Sequence, residues 1–494
     1  MTAAEGTRRL GDGCTHERGS IVDSRFHGDR YATPASRRIF CDVCRVQRWL
    51  DVEAALAQSQ ASVGLIPAEA ADAISAAACV EGVDLVGLRE GIRQTGHSLV
   101  AILTALQQAC EGEAGEYVHY GATTQDIQDT AQALEMAEVM GEIDRHVEDI
   151  LVRLVDLARE HRDSLMVGRT HAQPALPTTF GHKVAGWMDE LLRQAERLQA
   201  SRPRVLVAQL FGGVGTMAGF GGVGPELLER FAGRLSLGVP VMPWHVARDR
   251  VAEYLTILAM LTATLGRIAD EVRTLSRPEF DELEEGWEYG LVGSSTMPHK
   301  RNPEDCEQVV VLARLARANA ALGMEGMVQE HERDSRGLRL EWVAVADTSH
   351  HTLAALALLS QMLNSLKVHD DRMAEHAHAA AEVICSEALM LALAPHVGKQ
   401  SAHALVYDLS QQAQSQKRPL REVLDDSAEV TASLEPGQIE AAFDPLRHLG
   451  SAGTMVDRTI ALAEAWVGDR RPGTRRHQVR AQVRGPARGD AHAT

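Results

Sequence analysis

The sequence predicts an all-α protein, a bundle of long helices flanked by smaller N- and C-terminal helical domains. Apolar residues make up 45% of the chain and aromatic residues only 4%. Ala and Leu dominate that apolar set, and both are strong helix formers, whereas β-rich chains lean on Val, Ile and aromatics. A second observation is periodic. Val251, Tyr254, Leu258, Leu261, Leu265, Ile268, Val272 and Leu275 follow one another at intervals of three and four, a heptad seam sustained over more than three repeats. Two more seams run through Ile143, Val147, Ile150, Leu154 and Leu157, and through Val184, Trp187, Leu191 and Leu198. Seams this long need partner helices, which a bundle supplies. Long bundle helices also assemble across subunits, so a homo-oligomer is expected.

In chain order, residues 1–25 are polar and Gly-rich and read as a flexible arm. Residues 26–118 form an N-terminal helical domain of short helices, broken at Gly64 to Pro67 and at Gly82. The central bundle occupies 119–365. Its seams are separated by GRTHAQPALPTTFG, in which Pro174 and Pro177 rule out a straight helix, by the Gly-rich FGGVGTMAGFGGVG, and by EEGWEYGLVGSSTMPHKRNP, whose stretch 286–303 reads as a catalytic loop. Loops held on a rigid scaffold are where chemistry concentrates. Residues 366–465 read as a C-terminal helical domain. The tail 466–494, with Arg470, Arg471, Arg475, Arg476, Arg480, Arg484 and Arg488 among Gly and Pro, reads as disordered, an anion-binding tail being the alternative.

A formal net charge of −18 argues against nucleic acid as the main partner, although a few converging Arg and Lys can still bind a small anion. No run of about 18 apolar residues is present, so no membrane span is expected. The first residues lack the apolar stretch of a secretory signal, which makes the cytoplasm the default location. Seven cysteines, an odd number, do not suggest a disulfide framework. Cys41 and Cys44 form a CxxC, but they open the amphipathic run CDVCRVQRWLDVEAAL with no second Cys/His pair at metal spacing. They read as two thiols on a helix more readily than as a zinc or redox pair.

Three segments carry chemistry. In GSSTMPHKRNP, 293–303, glycine gives backbone freedom, Ser294 and Ser295 offer hydroxyls, Lys300 a cation and Asn302 an amide. Such a set suits a substrate carboxylate. Removing the weakly acidic proton beside a carboxylate requires the resulting aci-carboxylate to be stabilised by positioned donors and positive charge, and a serine beside that cation can serve as the base. In HYGATTQDIQDTA, 119–131, Thr123, Thr124 and Gln125 offer carboxylate-binding groups, although the stretch alone reads equally as a helix N-cap. In 168–181, His171 sits in a Pro-broken turn between Thr170 and Gln173, and alone it could be a structural histidine.

GSSTMPHKRNP resembles the signature loop of the fumarase/aspartase superfamily, Gly-Ser-Ser-x-Met-Pro-x-Lys-x-Asn-Pro, at every fixed position. The other two segments resemble that family's first and second conserved regions, and the likeness spans roughly 25 to 465. The resemblance implies Ser294 as the base on a mobile loop, with Lys300 and Asn302 on the carboxylate and Thr123, Thr124 and Gln125 as further carboxylate ligands. It also implies His171 as acid toward the leaving group, supported by Thr170 and Gln173, with Glu307 orienting its imidazole. A twenty-helix tetrameric core with active sites shared between subunits is implied, with a small dicarboxylate substrate and no metal or organic cofactor.

Within the family, TPASRRIF, RVQRWLDVEAAL, MPWHVARDR and MVQEHERDSRGLRLEW look most like the 3-carboxy-cis,cis-muconate cycloisomerase branch, with adenylosuccinate lyases as neighbours. Arg30-Tyr31 could match the phosphate-binding pair of the latter. However, His331-Glu332-Arg333-Asp334 continues as SRGLRLEW, without their Ser-rich run, so the nucleotide embrace is missing. A small substrate follows. The best expectation is elimination of nitrite from nitrosuccinate to leave fumarate, as in nitrosuccinate lyases of bacterial secondary metabolism, with Arg30, Arg248 and Arg336 as spare cations for a second anionic group. The alternatives are the cycloisomerase, the adenylosuccinate lyase and a non-catalytic structural relative.

Overall fold

Each of the three apolar seams becomes the buried stripe of a long helix. The computed structural model describes residues 20–468, so the Arg-rich tail from 469 and most of the expected arm lie outside the described residues. Residues 20–25, expected to be loose, include a 3₁₀ turn at Ile21–Asp23 whose Val22 is buried and whose carbonyl accepts the Arg37 Nε proton at 3.1 Å.

Five long helices dominate: Thr124–Glu160, Phe180–Val205, Asp249–Leu275, Glu304–Glu325 and Ser335–Ser365. Every residue of the 251–275 seam is buried, as are those of the other two. The one polar atom in the 251–275 seam, the Tyr254 hydroxyl, is matched to Ser349 Oγ at 2.7 Å, as a buried hydroxyl requires. Asp249–Leu275 is long and apolar enough to cross a membrane by length and composition, but its apolar seam is buried in this core.

The chain packs as two compact units, each assembled from three stretches, rather than as the linear domains read from the sequence. Every boundary between them falls inside one of the five long helices. In the first unit, the helices Asp42–Ser62, Ala68–Ala77, Leu85–Thr95 and Ser98–Ala109 close over Leu50, Ile66, Ile74, Leu88, Ile102 and Leu106. The CxxC lies at the start of the first of these, where Cys41 is the N-cap and its sulfur accepts the Cys44 N–H at 3.3 Å. Arg45 and Arg48 on the same helix reach Glu135 and Glu138 of the first long helix, pinning the two together.

In the second unit a cluster of C-terminal helices packs around Ile384, Leu389, Leu393, Leu424 and Phe443. Here the all-helical expectation needs a local correction. GRTHAQPALPTTFG is a β-hairpin, Leu165–Thr170 paired antiparallel with Gln173–Thr179, and Leu165 and Val167 insert into that C-terminal core. Pro174 and Pro177 forbid helix and are tolerated in a two-stranded ribbon, in which both strands are edge strands. A second short pairing joins Leu283–Glu284 to Lys367–Val368.

Candidate active site

In the second unit the loop 286–303 leaves the strand Leu283–Glu284 and returns to the helix Glu304–Glu325. Its exit is anchored by Glu285, whose carboxylate accepts the N–H groups of Asp305 and Cys306, each at 3.0 Å, and so caps the helix N-terminus. Within the loop, Ser294 Oγ accepts two backbone N–H groups, from Met297 at 2.9 Å and Thr296 at 3.2 Å. Hydrogen bonds to the charged form favour it, so two amides aimed at one hydroxyl oxygen make a serinate easier to form. The loop is drawn closed by Asn302, whose Nδ2 donates to the Gly293 carbonyl at 2.6 Å. Gly293 has to be glycine, because a Cβ there would collide with the Lys300 carbonyl oxygen. Lys300 is exposed, and its ammonium makes no hydrogen bond or ion pair among the described residues, which leaves it available to an anion. Asn302 therefore braces the loop with one of its two amide protons, a function the sequence did not indicate.

His171 occupies the hairpin tip in the same unit. Thr170 pairs with Gln173, leaving His171 and Ala172 as a two-residue turn with φ of 50° and 64°. Turns with both central residues at positive φ are the ones that match strand twist, and Asn-Gly is their preferred filling. A histidine there is conformationally costly, and it projects an exposed imidazole from a two-stranded support. Glu307 stands exposed in the first turn of Glu304–Glu325, and among the described residues no hydrogen bond joins it, or Ser294, to His171.

In the first unit, Thr124 begins the first long helix, and the carboxylate of Asp126 organises everything around it. Fully buried, it accepts the N–H groups of Thr123 at 3.0 Å, Phe211 at 3.0 Å and Gly212 at 2.9 Å, and sits 3.0 Å from His245 Nε2. This one side chain brings the Gly-rich segment 211–224 against Thr123. Arg333 completes the cluster, donating to Thr123 Oγ1 and to the carbonyls of Gly212 and Gly213. Immediately upstream, His119 lies 2.7 Å from the buried Glu53 carboxylate. Burial disfavours its charge, but Glu53 outweighs that and raises its pKa above the ordinary imidazole value.

Three residues of this unit, Gln125, Arg248 and Arg336, are not where the sequence reading put them. Gln125 is buried and spends its amide on the His245 carbonyl at 2.9 Å, which makes it a brace. Arg248 is fully buried between Asp129, at 2.8 and 2.9 Å, and Glu341, so its guanidinium is no spare cation. Arg336 likewise is paired, with Asp334 and Glu330. Arg30 lies in a 3₁₀ turn whose carbonyl accepts the Gln308 amide at 2.9 Å. Asp126, Glu53 and Arg333 were missed. The only sequence signal for the first was an acidic pair in QDIQD on the buried face of a helix.

Among known proteins, a family model described as "Lyase" matches residues 29–317, and one described as "Adenylosuccinate lyase C-terminus" matches 382–459. The N-acetyl-S-(2-succino)cysteine lyase of Dickeya dadantii is 37% identical over 444 residues, covering 90% of this chain and 98% of that protein. The adenylosuccinate lyase of Methanocaldococcus jannaschii is also 37% identical, over 434 residues, 87% of this chain and 94% of that one. The crystal structure of 3-carboxy-cis,cis-muconate lactonizing enzyme from Pseudomonas putida superposes with a TM-score of 0.81 at 34% identity, covering 89% of this chain and 99% of that one. The signature loop, the helical fold and matches along nearly the whole described chain agree, and the chain belongs to the fumarase/aspartase superfamily of lyases.

Proposed function

We propose that the chain eliminates a leaving group that departs as a stable anion from a 2-substituted succinate, giving fumarate, and that nitrosuccinate, losing nitrite, is its substrate. The observation that carries the reading is the pair of backbone amides on Ser294 Oγ, in the same loop as the exposed Lys300. In this reading Ser294 takes the proton beside the carboxylate. Lys300 and the N-terminal end of the Thr124–Glu160 helix, with Thr123 and Thr124, balance the charge on the aci-carboxylate. The C–N bond to the nitro group then breaks, its electron pair leaving with nitrite while the carbanion pair becomes the new C=C bond. Nitrite is a weak base and needs no proton to depart, so His171, with Thr170 and Gln173, orients more than it protonates.

A small substrate is supported by the guanidinium groups near the nucleotide-binding motif of adenylosuccinate lyases. Arg333 is occupied by Thr123, Gly212 and Gly213, and Arg336 by Asp334 and Glu330. A second reading, loss of a thiolate from an S-(2-succino)cysteine derivative, is favoured by the Dickeya dadantii relative. The active unit is a homotetramer in which His171, Ser294 and Thr124 of different copies meet, Glu307 orienting His171.

Purified protein incubated with nitrosuccinate should release fumarate and nitrite in equal amounts, read by ultraviolet absorbance and a colorimetric nitrite assay. N-acetyl-S-(2-succino)cysteine, adenylosuccinate and 3-carboxymuconate are the competing substrates. Faster turnover of the thioether would establish the second reading. Fumarate from adenylosuccinate, or lactone from carboxymuconate, at a higher kcat/KM than nitrosuccinate would overturn both.

A further inference from the structure

The loop that carries Ser294 leaves from, and the hairpin that carries His171 is tied by side chains to, one short stretch of chain, Asp281-Glu282-Leu283-Glu284-Glu285-Gly286. Glu282 is fully buried. Its carboxylate accepts a two-pronged bond from Arg169, at 2.6 and 2.9 Å, and lies 2.8 Å from His376 Nδ1. Arg169 is two residues before His171, beside the register shift that bends the first strand, and its guanidinium rests over the Phe280 ring at 4.7 Å. The planar fork of an arginine on a carboxylate fixes direction as well as distance.

The next residues do the same for the loop. Glu284 holds Arg301 at 2.5 Å and Lys367 at 3.3 Å, and Glu285 caps the helix that follows the loop. Gly286, where the loop departs, packs so closely on Ser365 that a Cβ would collide with it. Backbone bonds lock the stretch itself, with the Glu282 N–H on the Leu275 carbonyl and its own carbonyl on the His369 N–H, each at 3.0 Å. Three acidic side chains within four residues thus bind, in turn, the hairpin, the loop's exit and the helix beyond it.

We infer that Glu282 is a positioning residue, which through Arg169 fixes the His171 hairpin to the same base as the Ser294 loop. It touches no substrate. This inference rests on the roles proposed above for His171 and Ser294. Its logic is that a proton-abstracting group and a group facing the leaving atom must each be held in place to within about an ångström, whichever copies' sites they complete, and a misplacement of that size costs on the order of 10²-fold in rate. Two presenting elements that are each thin and exposed, a two-residue turn and a Gly-flanked loop, cannot supply such rigidity by themselves.

The test is Glu282→Gln in the full-length enzyme, which keeps the shape and removes the charge, with Arg169→Lys as a milder companion that loses the fork but folds. Two measurements are made: kcat and KM on whichever substrate of the panel above is turned over, and hydrogen–deuterium exchange across 166–177 and 287–302. Expected are a fall in kcat of roughly 10–100-fold with KM within about threefold, and faster exchange in both segments together while 124–160 is unchanged. Arg169→Lys should move both readouts in the same direction by less. Exchange rising in one segment only, or in both with kcat unaltered, overturns the inference. Ser294→Ala separates the two levels. If it keeps turnover, the assigned chemistry fails whatever Glu282 does. If it is inactive while Glu282→Gln behaves as wild type, only the positioning role fails.

Discussion

At the scale of single residues, the division that matters is between polar groups already consumed by the fold and those left for a ligand. Ser294 and Lys300 are of the second kind, and Arg248 is of the first. Ser294→Ala removes the proposed base and should lower kcat by about 10²–10⁴-fold, the usual contribution of a positioned proton acceptor. His171→Ala should cost less when nitrite leaves, since no proton has to be delivered; steady-state kinetics of both variants decide it, and equal losses would count against an anionic leaving group. Arg248→Met strands the buried carboxylates of Asp129 and Glu341, whose ion pairs with it are fully desolvated. Breaking such a pair costs about 3–5 kcal/mol. Denaturant unfolding should therefore show a large loss of stability, whereas a substrate-binding role would show in KM with stability intact. The sequence could not separate these cases. An arginine in MPWHVARDR looks the same whether its guanidinium faces a ligand or two carboxylates brought from 119 and 93 residues away.

At the scale of elements, long periodic segments were legible and short strained ones were not. The heptad intervals from Val251 to Leu275 identified a buried helix face residue by residue, because burial is the direct cause of that periodicity. The hairpin was invisible for the opposite reason. Its tip is His-Ala where Asn-Gly is the usual signal, and its second strand carries two prolines, so tertiary anchors hold it, Leu165 and Val167 in the C-terminal core and Arg169 on Glu282. The loop 286–303 was legible as a motif and not as geometry. Its residue types suggested carboxylate binding, but nothing in them said that Asn302 would clasp Gly293. That clasp makes the loop testable as an element. Gly293→Ala puts a methyl group against the Lys300 carbonyl and forces the turn open, detaching the amides of Thr296 and Met297 from a correctly placed Ser294. Turnover should fall on the order of 10²-fold while the melting temperature stays within a few degrees, because the loop is exposed and contributes little to the core. A large drop in melting temperature would show that the loop is part of the scaffold instead.

At the scale of the whole molecule, two properties follow from how the chain is assembled. One is acid sensitivity. His350 and His351 lie buried on the helix Ser335–Ser365, the first with its Nδ1 2.8 Å from Ser36 Oγ. Burial, and for His350 also the neighbouring ring, pushes each down to about 4. In the unfolded chain both rings accept a proton near pH 6.5, while in the fold they stay neutral to about pH 4. Between those limits the unfolded state binds more protons, so stability falls as pH drops, with a slope approaching about 1.4 kcal/mol per pH unit for each ring. Thermal melts from pH 7 to 4 should show it, and His351→Gln should flatten the slope by about half. The other property is that the residues proposed for complementary roles are carried by exposed elements, a hairpin tip and a loop, that make no hydrogen bond to each other among the described residues. Long helices packed side by side offer extended faces on which copies can associate, and in the proposed tetramer association would bring His171 of one copy to Ser294 of another. Co-expressing differently tagged Ser294→Ala and His171→Ala chains, each inactive or impaired as a homo-oligomer, and isolating the doubly tagged assembly should recover turnover that neither variant shows alone. In such a mixture some sites draw both intact residues from different copies, which cannot happen if each chain builds its own site. Doubly tagged assemblies with no gain in turnover would place the whole catalytic set within one chain and end the shared-site proposal.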